Sequence, residues 1–200
     1  MNIKTLRVGL LETNCYFVFN DSKETMIVDP GEETNFITET IIRYSLKPKL
    51  IIATHGHFDH ILVSGELSLI YKLPLFIHSD DLFLVKEMNK LASFWLRTKS
   101  FYPLPQKFNF LKNGQEIKMG KEKFEIIPTS GHTPGSISLW NKKNSLIFSG
   151  DLIFKEGLGR TDFSYSNKKA LRESIKRVFS LSKKIKFYPG HGSSFVIERK

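Results

Sequence analysis

The stretch Leu50-Ile51-Ile52-Ala53-Thr54-His55-Gly56-His57-Phe58-Asp59-His60 decides how this chain is read. Its first four residues are all apolar, the pattern of a short strand covered on both faces. The sequence then turns polar and packs three of the chain's six histidines between positions 55 and 60. A loop at the end of a buried strand is where rigid scaffolds carry function. Imidazole and carboxylate side chains converging there suit zinc, iron or manganese. The competing reading is a turn with chance histidines. It leaves unexplained why a polar run should abut a buried strand.

Working outward, the N-terminal side reads as strands. Ile3, Leu6 and Val8 open one, Cys15-Tyr16-Phe17-Val18-Phe19 is a second, and Met26-Ile27-Val28 a third. Asp29-Pro30-Gly31 is a turn signal. Thr34 reads as an N-cap, with Ile37, Ile41 and Tyr44 at helical spacing and Pro48 ending the helix. On the C-terminal side the pattern predicts a helix over 61–72, a strand Leu75-Phe76-Ile77 and a helix over 79–97. Residues 98–106 read as a loop. Short strands follow at 107–110, 115–118, 123–128, 136–140 and 145–148. A last helix over 167–181 puts Leu171, Ile175, Val178 and Phe179 on one face. The strand Ile185-Lys186-Phe187-Tyr188 closes the pattern. This order suits one layered α/β domain over residues 1–200, with sheets inside and helices outside.

Three more strand ends carry metal-capable residues beside glycine. His132 lies in Gly131-His132-Thr133-Pro134-Gly135, Asp151 in Ser149-Gly150-Asp151, and His191 in Pro189-Gly190-His191-Gly192. Each alone is ordinary turn chemistry. The repetition is what matters, because five of the six histidines fall in such loops. The sixth, His78, precedes Ser79-Asp80-Asp81 and reads as structural. Cys15 sits in an apolar strand and reads as core.

The bulk properties exclude several classes. No run approaches the roughly eighteen apolar residues of a membrane span. The first residues carry no apolar signal core, and the single cysteine fits a reducing compartment, so a cytoplasmic location is expected. The formal charge is +10. The lysines are scattered, with Lys183-Lys184-Ile185-Lys186 the nearest thing to a cluster, so a solvated surface or an anionic small substrate is preferred to nucleic acid.

The order of these motifs resembles the metallo-β-lactamase superfamily, and within it the glyoxalase II (hydroxyacylglutathione hydrolase) group. Thr13-Asn14-Cys15-Tyr16, Gly131 to Ser136 and Gly159-Arg160-Thr161-Asp162-Phe163 support the likeness. The resemblance implies a four-layer αββα sandwich and two divalent metals, foremost zinc, with iron or manganese as alternatives. It implies His55, His57 and His132 on one metal, Asp59, His60 and His191 on the other, and Asp151 bridging. Asp29 would brace the histidine loop. Asp59 and Asp151 would be the catalytic carboxylates. The expected reaction is attack of a shared hydroxide on a thioester carbonyl, since a thiol leaves without a strong acid.

The sequence departs from the group in two places. Ile61 is followed by Leu62-Val63-Ser64 where many relatives have paired glycines, with glycine only at Gly65. The chain also ends nine residues after His191, the expected short form without the helical C-terminal domain that helps bind glutathione. Arg160 reads either as a grip on a substrate carboxylate or as a surface arginine bracing its loop. Tyr165 and Lys155 are further substrate-binding candidates. Two other activities compete. A persulfide dioxygenase would use one iron on His55, His132 and Asp151. A nucleic-acid hydrolase would exploit the positive charge.

Overall fold

The computed structural model describes residues 1–199. Its elements run β1 (Asn2–Val8), β2 (Thr13–Phe19), β3 (Glu24–Val28), α1 (Thr34–Arg43), β4 (Lys47–Ile52), α2 (Phe58–Ile61), α3 (Ser64–Tyr71), β5 (Leu75–His78) and α4 (Leu82–Leu96). They continue with β6 (Phe108–Leu111), β7 (Glu116–Met119), β8 (Glu122–Pro128), β9 (Ile137–Asn141), β10 (Leu146–Gly150), β11 (Ile153–Phe154), β12 (Gly157–Leu158), α5 (Lys168–Ser180), β13 (Lys184–Pro189) and β14 (Phe195–Glu198). One sheet has the strand order β1-β2-β3-β4-β5-β6, and the other β14-β13-β10-β9-β8-β7. β11 and β12 pair as a separate small hairpin.

Side-chain alternation builds the layers. Successive strand residues point to opposite faces. Along β2, Cys15, Phe17 and Phe19 join Ile37 and Ile41 of α1, Leu67 of α3 and Val85 and Met88 of α4. Between them, Tyr16 and Val18 face the second sheet and meet Phe124, Leu139 and Phe148. Ile51 and Ile52 divide in the same way. The outer face of the second sheet buries Ile147, Ile185 and Phe187 against Leu171 and Val178 of α5. Helices, sheet, sheet and helix therefore stack as the αββα sandwich. The central strands are apolar on both faces because each sheet is covered twice.

Several local expectations change. Thr34 is the first residue of α1, not its cap; the N-cap is Glu33, in a left-handed conformation with φ 63°. The Thr34 hydroxyl instead donates to Glu66. Pro48 does not end α1 but lies within β4. A Schellman turn stops the helix first: Ser45 is left-handed at φ 51°, and Ser45 and Leu46 N–H donate to Ile42 and Ile41 carbonyls. The helix expected over 61–72 is two pieces, α2 and α3, broken at Leu62-Val63. Gly65 serves the second piece, since a Cβ there would lie 1.7 Å from the Pro103 carbonyl oxygen of the crossing loop. The expected 79–97 helix begins with a short 3-10 turn over Ser79–Asp81. β14 was not expected; it is a short edge strand with Val196 half exposed, which carries little apolar signal.

Cys15 is fully buried in β2, and burial, with Asp29 nearby, pushes its thiol pKa far above the usual range. A protonated, inaccessible thiol is inert. The native chain is therefore expected to resist an aromatic disulfide reagent for hours and to release one equivalent of thiolate only on unfolding. Rapid labelling of native protein would contradict the burial of β2 between β1 and β3.

Candidate metal centre

Four strand ends deliver the histidines and carboxylates. β4 runs into Thr54, His55 and His57, and the single turn of α2 then presents Asp59 and His60 as neighbours. β8 leads to His132, β10 to Asp151 and β13 to His191. β10 and β13 are parallel neighbours, so Asp151 and His191 emerge side by side. Gly190 makes room between them: a Cβ there would lie 2.1 Å from Asp151 Oδ1 and 2.7 Å from His60 Cε1.

Hydrogen bonds on the outer edges of the rings orient the inner edges. His132 Nδ1 lies 2.8 Å from the Arg160 carbonyl oxygen and His191 Nδ1 2.9 Å from that of Leu11, so each donates there. His60 Nδ1 donates to Asp29 Oδ2 at 3.0 Å. His55 Nδ1 lies 3.1 Å from the Thr54 hydroxyl, which accepts because its own proton goes to Asp29 Oδ2 at 2.8 Å. His57 Nε2 has the Tyr165 hydroxyl at 2.8 Å to take its proton. With those hydrogen bonds made outside, five ring nitrogens face inward: Nε2 of His55, His60, His132 and His191, and Nδ1 of His57.

These nitrogens crowd one another. His57 Nδ1 is 2.9 Å from His132 Nε2 and 3.2 Å from His55 Nε2. His60 Nε2 is 3.2 Å from His191 Nε2. Asp59 Oδ2 lies 3.4 Å from His60 Nε2 and 3.2 Å from His191 Nε2. Asp151 stands between the groups, with Oδ1 3.5 Å from His60 Nε2 and Oδ2 3.5 Å from His132 Nε2. Asp151 Oδ1 is buried without any hydrogen-bond partner. Convergent lone pairs and an orphaned carboxylate oxygen fit a cation, and all are oxygen or imidazole donors of the kind zinc or iron accepts. His55, His57 and His132 form one group that could hold a metal, and Asp59, His60 and His191 another, each with donor atoms within 4.8 Å of one another. All seven expected ligand residues are thus brought together.

The electrostatics divide along the same line. Burial, then the neighbouring imidazoles, holds His55 well below the usual histidine range and His57 at about 3. For His60, burial is outweighed by Asp59, Asp151 and Asp29, and its pKa is pushed up to about 10. His191 is raised too, with burial offset by its bond to Asp59 and by Asp151. Asp59 is pulled below the carboxylate range, since His60 and His191 overcome the effect of burial. The carboxylate-rich half demands positive charge. Protons satisfy that demand in the metal-free chain, and a metal would displace them.

Bracing groups surround the ligands. Asp29 sits as expected, accepting from Thr54 N–H at 2.7 Å as well as from the Thr54 hydroxyl and His60. It does so with a left-handed backbone, φ 54°, a strained geometry that persists because these bonds over-determine it. Sequence reasoning missed Asp81. It is fully buried, and its carboxylate accepts from Gly56 N–H at 2.8 Å, Gly135 N–H at 2.7 Å and the Thr133 hydroxyl at 2.6 Å. It therefore ties the His55–His57 loop to the His132 loop. Its place just before α4 suggests an N-cap, yet its side chain makes no cap bond. Thr13, Asn14 and Tyr16 were noticed only as a motif. Thr13 donates to Asp59 Oδ2 at 3.0 Å, while Asn14 donates to the Pro189 and Gly192 carbonyls at 2.9 and 2.8 Å. Tyr16 also donates to Pro189 O. His78 is structural as expected, its Nδ1 accepting from Asp80 N–H.

The three substrate-binding candidates differ in their relation to the metal-capable residues. Arg160 lends its carbonyl to His132, but its guanidinium is closed on Asp162 by two bonds of 3.0 and 2.7 Å and lies 4.8 Å over the Phe163 ring. Tyr165 touches His57 directly. Lys155 is exposed, next to Glu156, at the turn of the β11–β12 hairpin.

Residues 8–191 match the metallo-beta-lactamase superfamily. The chain belongs to the metallo-beta-lactamase superfamily. It is a metal-dependent hydrolase of that superfamily. Hydroxyacylglutathione hydrolase GloC of Haemophilus influenzae is 32% identical over 196 residues, covering 96% of this chain and 92% of that protein. The probable metallo-hydrolase YqgX of Bacillus subtilis is 31% identical, covering 96% of this chain and 90% of its own. Among solved structures, TTHA1623 in a di-iron-bound form superposes with a TM-score of 0.87 at 30% identity, covering 96% of this chain and 93% of that one. The superfamily scaffold accounts for the shared layers and for ligands at strand ends. No helix among the described residues is long and apolar enough to cross a membrane.

Asp81 braces only the loops of the first group. Asp81→Asn removes an acceptor and is expected to weaken metal at His55, His57 and His132 by roughly 10–100-fold. The second group should hold its metal nearly unchanged. Competition titration against a chelator reads both affinities; equal loss at both, or no loss, would remove Asp81 from this role.

Proposed function

We propose that this superfamily member hydrolyses thioesters of the hydroxyacyl type, using two divalent metals, zinc first. His55, His57 and His132 hold one metal, Asp59, His60 and His191 the other, and Asp151 is shared. The observation carrying this reading is the pair of converging donor sets with the unpartnered Asp151 oxygen between them. When bound, such a metal pair supplies a hydroxide near neutral pH and polarises the carbonyl under attack.

The chain's own residues do the rest. Outer hydrogen bonds to Asp29, Thr54, Arg160 O and Leu11 O fix each ring, so the donors need little reorganisation during the reaction. Asp59 and Asp151 are the catalytic carboxylates. Asp59 is kept ionised beside His60 and His191, and Asp151 stands against His60 and His132 where the nucleophile would be generated. Thr13 fixes which Asp59 oxygen faces inward. His55 and His57 are held neutral, so neither serves as a proton donor for a poor leaving group. A thiol of pKa about 8.5 leaves as thiolate without one, which favours a thioester over an amide or ether. The similarity to GloC of Haemophilus influenzae supports the acyl class. The protein is read as cytoplasmic, acting on a small molecule and not on nucleic acid or membrane.

A mononuclear dioxygenase on His55, His132 and Asp151 would leave the Asp59, His60 and His191 set without a cation, so the dinuclear reading is preferred. Iron in both positions, as in the di-iron form of TTHA1623, keeps the same residue assignments.

Elemental analysis is expected to give about two equivalents of metal per chain, in line with a two-metal site. Chelation should abolish hydrolysis of a lactoyl thioester and metal addition should restore it. About one equivalent of iron, with oxygen consumed on a persulfide, would replace this reading with the dioxygenase.

A further inference from the structure

The outer edge of the first donor group opens onto aromatic rings. Phe163 stands edge-on to His57 at 5.1 Å and to His132 at 5.9 Å. Tyr165 stacks on Phe163 at 5.5 Å with an interplanar angle of 11°. Phe83, at the start of α4, packs on Tyr165 at 5.4 Å and is 41% exposed. Three rings from two separate segments thus form one ledge that reaches the metal-ligand imidazoles and ends in solvent. None of the three belongs to the buried core clusters.

Charge is muted at the same place. Arg160, the nearest arginine, spends its guanidinium on Asp162 through a two-point contact and lays its plane on Phe163. A substrate carboxylate would have to displace an existing carboxylate to reach it. The protein is basic as a whole, but the groups touching the ligand rings here are apolar or aromatic.

We propose that the Phe83–Tyr165–Phe163 ledge is the specificity surface of this site and receives an apolar, preferably aromatic, group of the substrate. The inference deepens the thioester reading and rests on it for the reaction. It assigns the flanking group to a ring or branched alkyl chain, not to the charged tripeptide glutathione. Partly exposed rings gain area burial and ring-on-ring contact when such a group docks. A peptide with two carboxylates gains neither.

The test uses the separate products, so that binding is read without catalysis. Zinc-loaded protein is titrated calorimetrically with benzyl mercaptan and reduced glutathione, and with mandelate and lactate. Each pair offers the same metal-seeking group: mandelate carries a phenyl where lactate has a methyl, and benzyl mercaptan carries a ring where glutathione carries a charged peptide. In at least one pair the aromatic member is expected to bind about tenfold tighter, equal to about 1.4 kcal/mol. Phe83→Ala, which touches no ligand residue, should lose most of that preference while keeping its metal content. Tyr165→Ser should lose it as well. Equal or tighter binding of glutathione and lactate overturns the ledge, as does a preference that survives Phe83→Ala. Thioester assays then separate the two readings. Aromatic preference without turnover of any thioester keeps the ledge and removes the thioester assignment. Turnover with lactoyl-glutathione as the best substrate keeps the assignment and removes the ledge.

Discussion

Bare imidazole nitrogens repel one another when nothing positive lies between them, and this chain aims five of them at one small volume. His57 Nδ1 and His132 Nε2 stand 2.9 Å apart, and His60 Nε2 and His191 Nε2 3.2 Å apart. The surrounding bonds to Asp29, Thr54, Arg160 O and Leu11 O hold each ring with its inner nitrogen aimed at the same volume, where a proton relieves the His60–His191 contact until a metal does. Such an arrangement is stable only where positive charge is available. The strained backbone at Asp29, the glycine at 190 and the buried Asp81 all serve this single constraint.

The two halves of the centre answer it differently. The His55, His57 and His132 half is imidazole alone and deeply buried, and His55 and His57 resist protonation. The Asp59, His60 and His191 half carries carboxylate and attracts protons. Asp151 lies against both. The two positions are therefore chemically distinct, a softer and a harder one, within one cage. The side of the cage with the aromatic ledge is the imidazole side.

Much of this was legible in the sequence because the ligands are local. His55 to His60 form one run, and each other ligand follows a strand and a glycine, so pattern alone exposed them. The layers were legible too, since β2 alternates Cys15, Phe17 and Phe19 against Tyr16 and Val18. What stayed hidden depends on distant contacts. Asp81 looks like a helix cap, and only the folded chain brings it to Gly56 and Thr133. The end of α1 was misread at Pro48 because the stop comes from a left-handed serine, a residue type without a strong signal for that conformation. β14 escaped because an exposed edge strand does not alternate cleanly. Arg160 was weighed as a substrate grip because Asp162, two residues on, was not counted as its partner.

Asn14, near the start of the chain, holds the loop of His191, near its end, through bonds that span 175 and 178 residues. Tyr16 and the Thr13–His191 bridge repeat the connection. During synthesis the first donor group is complete once residue 132 has emerged, but the second waits for the last strand. Closing so long a loop carries an entropic cost that local contacts cannot repay early. The Asp59, His60 and His191 set therefore depends on contact between residues 13–16 and 189–192, and the His55, His57 and His132 set does not.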